Sequence, residues 1–322
     1  MFRQFLLLLI AGCVTAAPAR AAGYPERPIR MLIPFAVGGS TDVAGRIVAA
    51  GLTESLGRQI IVDNRTGAAG IIATEISARA NPDGYTLYFG SASTLAVNPA
   101  VYKRLPYDVL KDFELISLVA KGVHVLVIKS SINATSVRDL IALAKKQPGK
   151  MTFASSGTGG VVHLAGEQFR LLAGIELNHV PFKGGGPAAV ALLGGEVDMM
   201  VNDLAPVLVH MKSGRLRALA VAGAQRSALL PELQTFAEAG LPGVESASWC
   251  GLVAPLKTPQ PVIARLSADL AKIVASPEYR DRLANVGMEP MSSTSQQFAA
   301  YMRSEMARWS KVAKAANVQL DQ

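Results

Sequence analysis

The chain predicts an α/β protein of two lobes, and three features of its pattern carry that expectation. Short runs rich in Ile, Val, Tyr and Phe alternate with helical stretches whose apolar residues recur every three to four positions. A long extended segment, Phe113 to Ser131, interrupts the alternation before it starts again. A second extended segment, "SASWCGLVAPLKTP", precedes a closing run of helices. Two α/β units joined by two extended crossings leave a cleft between them, and such clefts are favoured ligand sites.

Taken in order, "IRMLIPF", "QIIVDN" and "YTLYFG" read as strands. Between them, "DVAGRIVAAGLTESLG" and "GIIATEISARANPDG" read as helices that stop at glycine-containing turns. This β-α-β-α-β order predicts a parallel sheet with helices on both faces. The extended segment breaks at Lys121-Gly122, as a strand leaving one sheet for another would. The second unit then reads helix "SVRDLIALAKKQ", strand "MTFASS", helix "VVHLAGEQFRLLAG", strand "LNHVPF", helix "PAAVALLGG" and strand "VDMMVND". Another helix and the strand "LRALAVAG" complete it. The closing helices are "PQPVIARLSADLAKIVAS", "PEYRDRLANVG" and "SQQFAAYMRSEMARWSKVAKAA". The expected division is a first lobe over 22–122, a second over 123–248 and a return to the first over 249–322. There is no internal sequence repeat.

Residues 1–21 stand apart. An arginine, the short apolar run "FLLLLIAGCVTAA" and the A-x-A site Ala19-Arg20-Ala21 read as a cleavable export signal, too short for a membrane span. "IAGC" resembles a lipoprotein box, but cleavage there would leave only twelve residues before Cys13, so lipid anchoring is not expected. Without the leader, which carries Arg3 and Arg20 and no acid, the formal charge falls from +8 to +6. Cys250 is then the one cysteine, so no intramolecular disulfide forms; a lone buried cysteine acts as a small apolar filler unless it lines a pocket. At 322 residues, 50% hydrophobic and 17% charged, the chain can bury a sizeable core. The basic residues are scattered among acids, which argues against nucleic-acid binding.

Three strand-to-helix loops share one composition: "GGSTD" (Gly38, Gly39, Ser40, Thr41, Asp42), "SSGTGG" (Ser155, Ser156, Gly157, Thr158, Gly159, Gly160) and "FKGGGP". They fall at the carboxyl ends of strands, the ligand edge of open α/β sheets. Glycine lets backbone N–H groups approach a ligand, and helix N-termini attract anions without a lysine or arginine. Ser, Thr and Asp before a helix are also ordinary N-caps, so one such loop argues little. Three, split between two units, point to a binding cleft. Asp42 reads as a cap or a clamp on its own loop, since a carboxylate facing an anion would repel it. His163 reads as a structural hydrogen-bonder.

Catalytic signatures are missing: there is no G-x-S-x-G, no P-loop, no H-E-x-x-H, no C-x-x-C and no full G-x-G-x-x-G. The histidines show no metal-ligand spacing. No metal and no cofactor are expected.

Several stretches resemble the extracytoplasmic solute receptors of tripartite tricarboxylate transporters, the Bug family. They are "YPERPIRMLIPFAVGGSTDVAGRIVA", "DNRTGAAGIIATEISARANPDGYTL", "STLAVNP", "SSGTGGVVHLAGEQF", "VPFKGGGPAAVALLGGEVDMM", "SGRLRALAVAGAQRS", "FAEAGLPG" and "LVAPLKTP", in family order from Tyr24 to about Ala316. The resemblance implies a type II periplasmic binding protein fold, hinged between its lobes. The ligand would be a small organic carboxylate in the interlobe cleft, and the partner a membrane permease. It implies a carboxylate held between Gly38 to Asp42 and Ser155 to Gly159, largely by backbone amides and hydroxyls. Carried over by position are Phe35, Ser91, Ser93, Thr94, Asn98, His163, Lys183, Gly184, Asn202, Asp203 and Trp249.

Three departures stand out. Val37 replaces a usual proline, Val201-Asn202 replace a usual phenylalanine-aspartate, and Cys250 follows Trp249 where an aromatic is common. The expectation is a periplasmic, monomeric, non-catalytic receptor. The alternatives are a receptor that signals to a membrane kinase, and an enzyme on this fold that would pair His163 with Asp203.

Overall fold

A computed structural model describes residues 23–321. The export signal read at 1–21, with cleavage at Ala21 and the anchoring alternative at Cys13, lies outside the described residues.

The chain opens with β1 (Ile29–Ile33), α1 (Ser40–Leu56), β2 (Ile60–Asn64), α2 (Ile71–Ala78) and β3 (Thr86–Ser91). A π-helical turn, Ser93–Val97, runs into α3 (Asn98–Val101); α4 (Val109–Asp112) and β4 (Phe113–Gly122) follow. The middle of the chain holds β5 (His124–Lys129), α5 (Val137–Lys146), β6 (Thr152–Ser155), α6 (Val161–Ala173) and β7 (Asn178–Pro181). It continues through α7 (Gly185–Gly194), β8 (Met199–Asp203), α8 (Ala205–Lys212) and β9 (Leu216–Val221). The return consists of β10 (Trp249–Pro255), α9 (Gln260–Ala275), α10 (Pro277–Ala284), β11 (Met288–Pro290) and α11 (Ser295–Ala315).

These strands form two sheets, ordered β11-β4-β10-β3-β1-β2 and β7-β6-β8-β5-β9. The chain leaves the first sheet at Gly122, enters the second at His124, and is back in the first at Trp249.

The β-α-β-α-β segment forms the expected parallel strands, but each sheet as a whole is mixed. β1 pairs in parallel with β2 and β3, and β6 with β7 and β8. The crossing strands run the other way: β10 is antiparallel to β3 and β4, and β5 to β8 and β9. A strand arriving from the other lobe enters at the cleft edge, where the βα strands end. Its direction is therefore reversed.

Each sheet has an apolar cluster on both faces. Strand β1, between β3 and the edge strand β2, buries Ile29, Met31, Leu32 and Ile33 completely. Two helices dock on their strands through a glycine at the same place. Gly45, the sixth residue of α1, has no Cβ to strike Ile33, and Gly166, the sixth of α6, none to strike Phe153. That close approach aims both N-termini along the strand ends toward the cleft.

The last helix, α11, starts with a capping box between Thr294 and Gln297 and buries Phe298, Met302, Glu305 and Trp309 along one stripe. Glu305 accepts both Trp249 Nε1 (3.0 Å) and Trp309 Nε1 (3.2 Å) and pairs with Arg308 at 2.5 Å. The returning crossing is thereby fixed to the first lobe.

Candidate ligand cleft

The first jaw is the loop from β1 to α1. Gly39 N–H closes a turn on Ala36 C=O (3.3 Å), and Val43 N–H makes the first intrahelical bond, to Gly39 C=O (2.9 Å). The N–H groups of Ser40 and Thr41, ahead of that bond, have no intrahelical partner and stand at the positive end of α1.

Asp42 braces the loop from behind. Its carboxylate accepts Gly38 N–H (2.9 Å), Asn64 Nδ2 (2.8 Å) and Arg46 Nε (3.0 Å), while Asn64 Nδ2 also reaches Phe35 C=O (2.8 Å). Burial pushes the Asp42 acid up, but the bonds from Arg46, Gly38 and Asn64 outweigh it and hold the group below the usual carboxylate range. The clamp reading of Asp42 agrees with these contacts. Val37 is 69% exposed and does not line the cleft, so the missing proline lies outside the wall.

The second jaw repeats the first in the other lobe. Leu164 N–H bonds Gly160 C=O (3.1 Å), leaving the N–H groups of Val161 and Val162 free of intrahelical partners at the start of α6. Ser155 Oγ accepts Gly157 N–H (3.2 Å) and lies 2.6 Å from His179 Nε2. His163 Nδ1 accepts Gly159 N–H at 3.1 Å. The rings of His163 and His179 stack at 3.8 Å. Burial, with lesser contributions from His179 and Arg170, pushes His163 down to about 3, and burial pushes His179 down to about 4. Both rings are neutral at pH 7. The third loop leans on this jaw through Phe182 N–H to Ser155 C=O (3.0 Å) and Gly184 N–H to Ser156 C=O (3.2 Å).

Between the jaws lies a cleft of about 520 Å³, in the range of small-molecule sites. Its walls carry Phe35, Gly39, Ser40 and Thr41 from the first jaw, and Ser156, Gly157 and Thr158 from the second. Ser91, Ser93, Asn98, Lys183, Gly184, Asp203 and Trp249 also reach it. No arginine lines it among the described residues.

A family model described as the tripartite tricarboxylate transporter family receptor matches residues 44–318. This chain belongs to that receptor family. The receptor is 38% identical to the protein BugT of Bordetella pertussis over 314 residues, 97% of this chain and 96% of that one. Among solved structures it resembles an R. palustris protein with adipate (TM-score 0.85, 35% identity, 93% of this chain and 100% of that one). It also resembles MatC from Rhodopseudomonas palustris with bound malate (TM-score 0.79, 29% identity, 90% and 99%). The fold is that of two-lobed periplasmic solute-binding proteins. No described helix is long and apolar enough to cross a membrane.

Seven of the residues expected at the receptor's site do not line the cleft: Gly38, which is exposed outside it, and Asp42, Thr94, Ser155, Gly159, His163 and Asn202, which are buried. The physical reasons differ. Thr94 is buried and bonded to Ser91 (Ser91 N–H to Thr94 Oγ1, 3.2 Å), and its carbonyl accepts Tyr107 Oη (2.9 Å). Gly159 packs against Leu320. Asn202 is fully buried, donating to Gly185 C=O (3.3 Å), with Oδ1 unpartnered.

Other lining residues escaped sequence reasoning. Val161 and Val162 continue the second jaw past Gly160 into its helix, and carrying the motif one turn further would have found them. Ser248 and Cys250 flank Trp249, so Cys250 is a wall residue; burial pushes its thiol up to about 12. Ala69 lines the wall in a left-handed conformation (φ 51°), its carbonyl held by Asn98 Nδ2 at 3.1 Å. Met288 comes from β11, a strand with no sequence signal.

Proposed function

We propose that this receptor captures a small organic carboxylate in the cleft and delivers it to a membrane permease. One observation carries the reading. Two helix N-termini, one from each lobe, bring unpaired backbone N–H groups and serine and threonine hydroxyls to opposite walls of a single cleft. Such groups hold a carboxylate by charge-assisted hydrogen bonds without a guanidinium. The relatives solved with adipate and malate support the ligand class. A ligand bonded to both jaws stabilises the closed arrangement, because only closure makes both sets of contacts.

The lobe boundaries near residues 122 and 249, periplasmic residence after cleavage at Ala21, and a monomeric receptor belong to the same proposal. The absence of catalysis does too. His163 is neutral and occupied by Gly159 N–H, and it stands off the wall that Asp203 lines, so the two form no acid–base pair across the cleft.

Thermal shift of the chain from residue 22 onward against a carboxylate panel tests this reading, since a ligand specific to the folded state raises the melting temperature. A shift produced by neutral sugars or cations, with none by any carboxylate, would refute it.

A further inference from the structure

We propose that Asp203 selects the ligand at its second polar group. The cleft takes a carboxylate that also carries a hydrogen-donating nitrogen, an ammonium foremost, in preference to a dicarboxylate. The inference rests on the carboxylate-anchoring reading above and adds what lies beyond the anchor.

Two acids stand near this cleft, and their surroundings differ. Asp42 sits behind the wall and is satisfied by Arg46, Asn64 and Gly38 N–H. Asp203 lines the wall, its side chain only 20% exposed, and among the described residues no lysine or arginine pairs with it. His124 Nε2 lies 3.4 Å from Asp203 Oδ1 but is already engaged by Ser248 Oγ at 3.0 Å, and His124 Nδ1 by Ser246 Oγ at 2.9 Å. The adjacent amide, Asn202 Nδ2, donates to Gly185 C=O instead. Gly122 adds no side chain between: a Cβ there would come within 2.7 Å of Asp203 Oδ1.

A partly desolvated carboxylate whose near side-chain donor, a His124 ring nitrogen, is shared with Ser248 is costly, and a donor on the ligand relieves that cost. A second ligand carboxylate in the same place would be repelled, which is how a site rejects the wrong partner.

The polarity of the edge fits. Lys183 follows β7, the Ser156 jaw follows β6, and Asp203 ends β8, in adjacent positions β7-β6-β8 of one sheet. At about 4.8 Å between strands, the Lys183 and Asp203 strand ends stand roughly 10 Å apart with the anion-holding jaw between them. They are the only charged residues of the lining among the described residues. The cleft is therefore positive toward β7 and negative toward the hinge.

Isothermal titration with chain-matched pairs tests the proposal: β-alanine against malonate, γ-aminobutyrate against succinate, ε-aminocaproate against adipate. The unaltered chain should prefer the amino member of at least one pair by about tenfold or more, and Asp203→Asn, close to isosteric, should abolish or invert that preference. Equal or tighter binding of the dicarboxylates by the unaltered chain overturns the proposal. So does an Asp203→Asn variant that weakens both members of a pair by the same factor, the outcome of a merely structural role. If no member of any pair binds either protein, the selection by Asp203 is overturned; the carboxylate reading falls with it only if the wider carboxylate panel also produces no thermal shift.

Discussion

Replacing Gly39 with valine separates the first jaw's part in binding from its part in folding. Gly39 has φ −73° and ψ 160°, a conformation any residue adopts, and an added Cβ would meet only Ala36 C=O at 3.4 Å. Valine is a poorer N-cap than glycine by about 1 kcal/mol, while a stiffer unfolded chain returns about 0.4–1 kcal/mol, so stability should change little. Binding should suffer, because the new methyls occupy the space in front of the Ser40 and Thr41 N–H groups. Hydrogen bonds to a charged group contribute about 1.5–3 kcal/mol each, so losing two raises Kd by roughly a hundredfold to ten-thousandfold. Titration with whichever carboxylate the thermal-shift panel identifies, beside urea unfolding of the ligand-free protein, reads both quantities. Gly38→Val is the contrast: Gly38 has φ +85°, where valine is strained, so that variant should lose stability first. Unchanged affinity in Gly39→Val would remove the first jaw from the site, and a large stability loss would show the glycine to be structural.

Asp42→Ala should cost about 1–3 kcal/mol at pH 7, because Gly38 N–H and Asn64 Nδ2 lose their shared acceptor. The Asp42 acid titrates lower folded than unfolded, so this contribution is present above about pH 4. Urea curves for the variant and the parent should converge as pH falls below that. His163 and His179 stay neutral in the fold but take up protons near pH 6.5 when unfolded, so stability should fall as pH drops below that value. Each should contribute a loss of about 1.4 kcal/mol per pH unit, and His163→Gln should remove one proton's worth of the slope in urea melts. In the chain from residue 22, Cys250 should resist a disulfide reagent at pH 7.5 and react only in denaturant; rapid labelling of the native protein would contradict its burial.

The fold was largely legible because its signals are local. The Gly38–Asp42 and Ser155–Gly160 loops announce themselves by composition, and the helices after them by apolar spacing. What stayed hidden depends on pairing between distant segments. Strand direction in β5 and β10 follows from where the chain re-enters a sheet, which no run of residues encodes. The π-helical turn at Ser93–Val97 is held by Tyr107 Oη on Thr94 C=O, and β11 is only three residues long. At the cleft, residues that act through backbone N–H groups were readable as loops, but their division into wall and support was not. Asp42 and Asp203 are both acids beside a helix start. Arg46 and Asn64 reaching one, and no lysine or arginine reaching the other, distinguish a brace from the proposed contact.

In the proposed closure, a small ligand would act on whole lobes through the two crossings between them. The two crossings bond laterally where Gly122 N–H meets Ser248 C=O at 2.6 Å, and the second is tied to the end of β9 by Ser246 N–H to Ala222 C=O at 2.8 Å. His124 joins Ser246 and Ser248 from within, so the crossings bend as one ribbon rather than as two independent strands. Across the back of this ribbon, Glu289 of β11 accepts Ser227 Oγ (2.6 Å) and Ala228 N–H (3.1 Å), tying the first lobe to a loop that follows β9. The tie can hold only those relative positions of the lobes that keep Glu289 and Ser227 within hydrogen-bonding reach, so it biases the equilibrium that the ligand shifts. Glu289→Gln keeps the shape and weakens a charge-assisted bond, whereas a residue in neither jaw should leave the anchoring contacts intact. Its effect on affinity then reports the free energy of lobe movement alone, and a change in which carboxylate is preferred would show that the hinge also shapes the cleft.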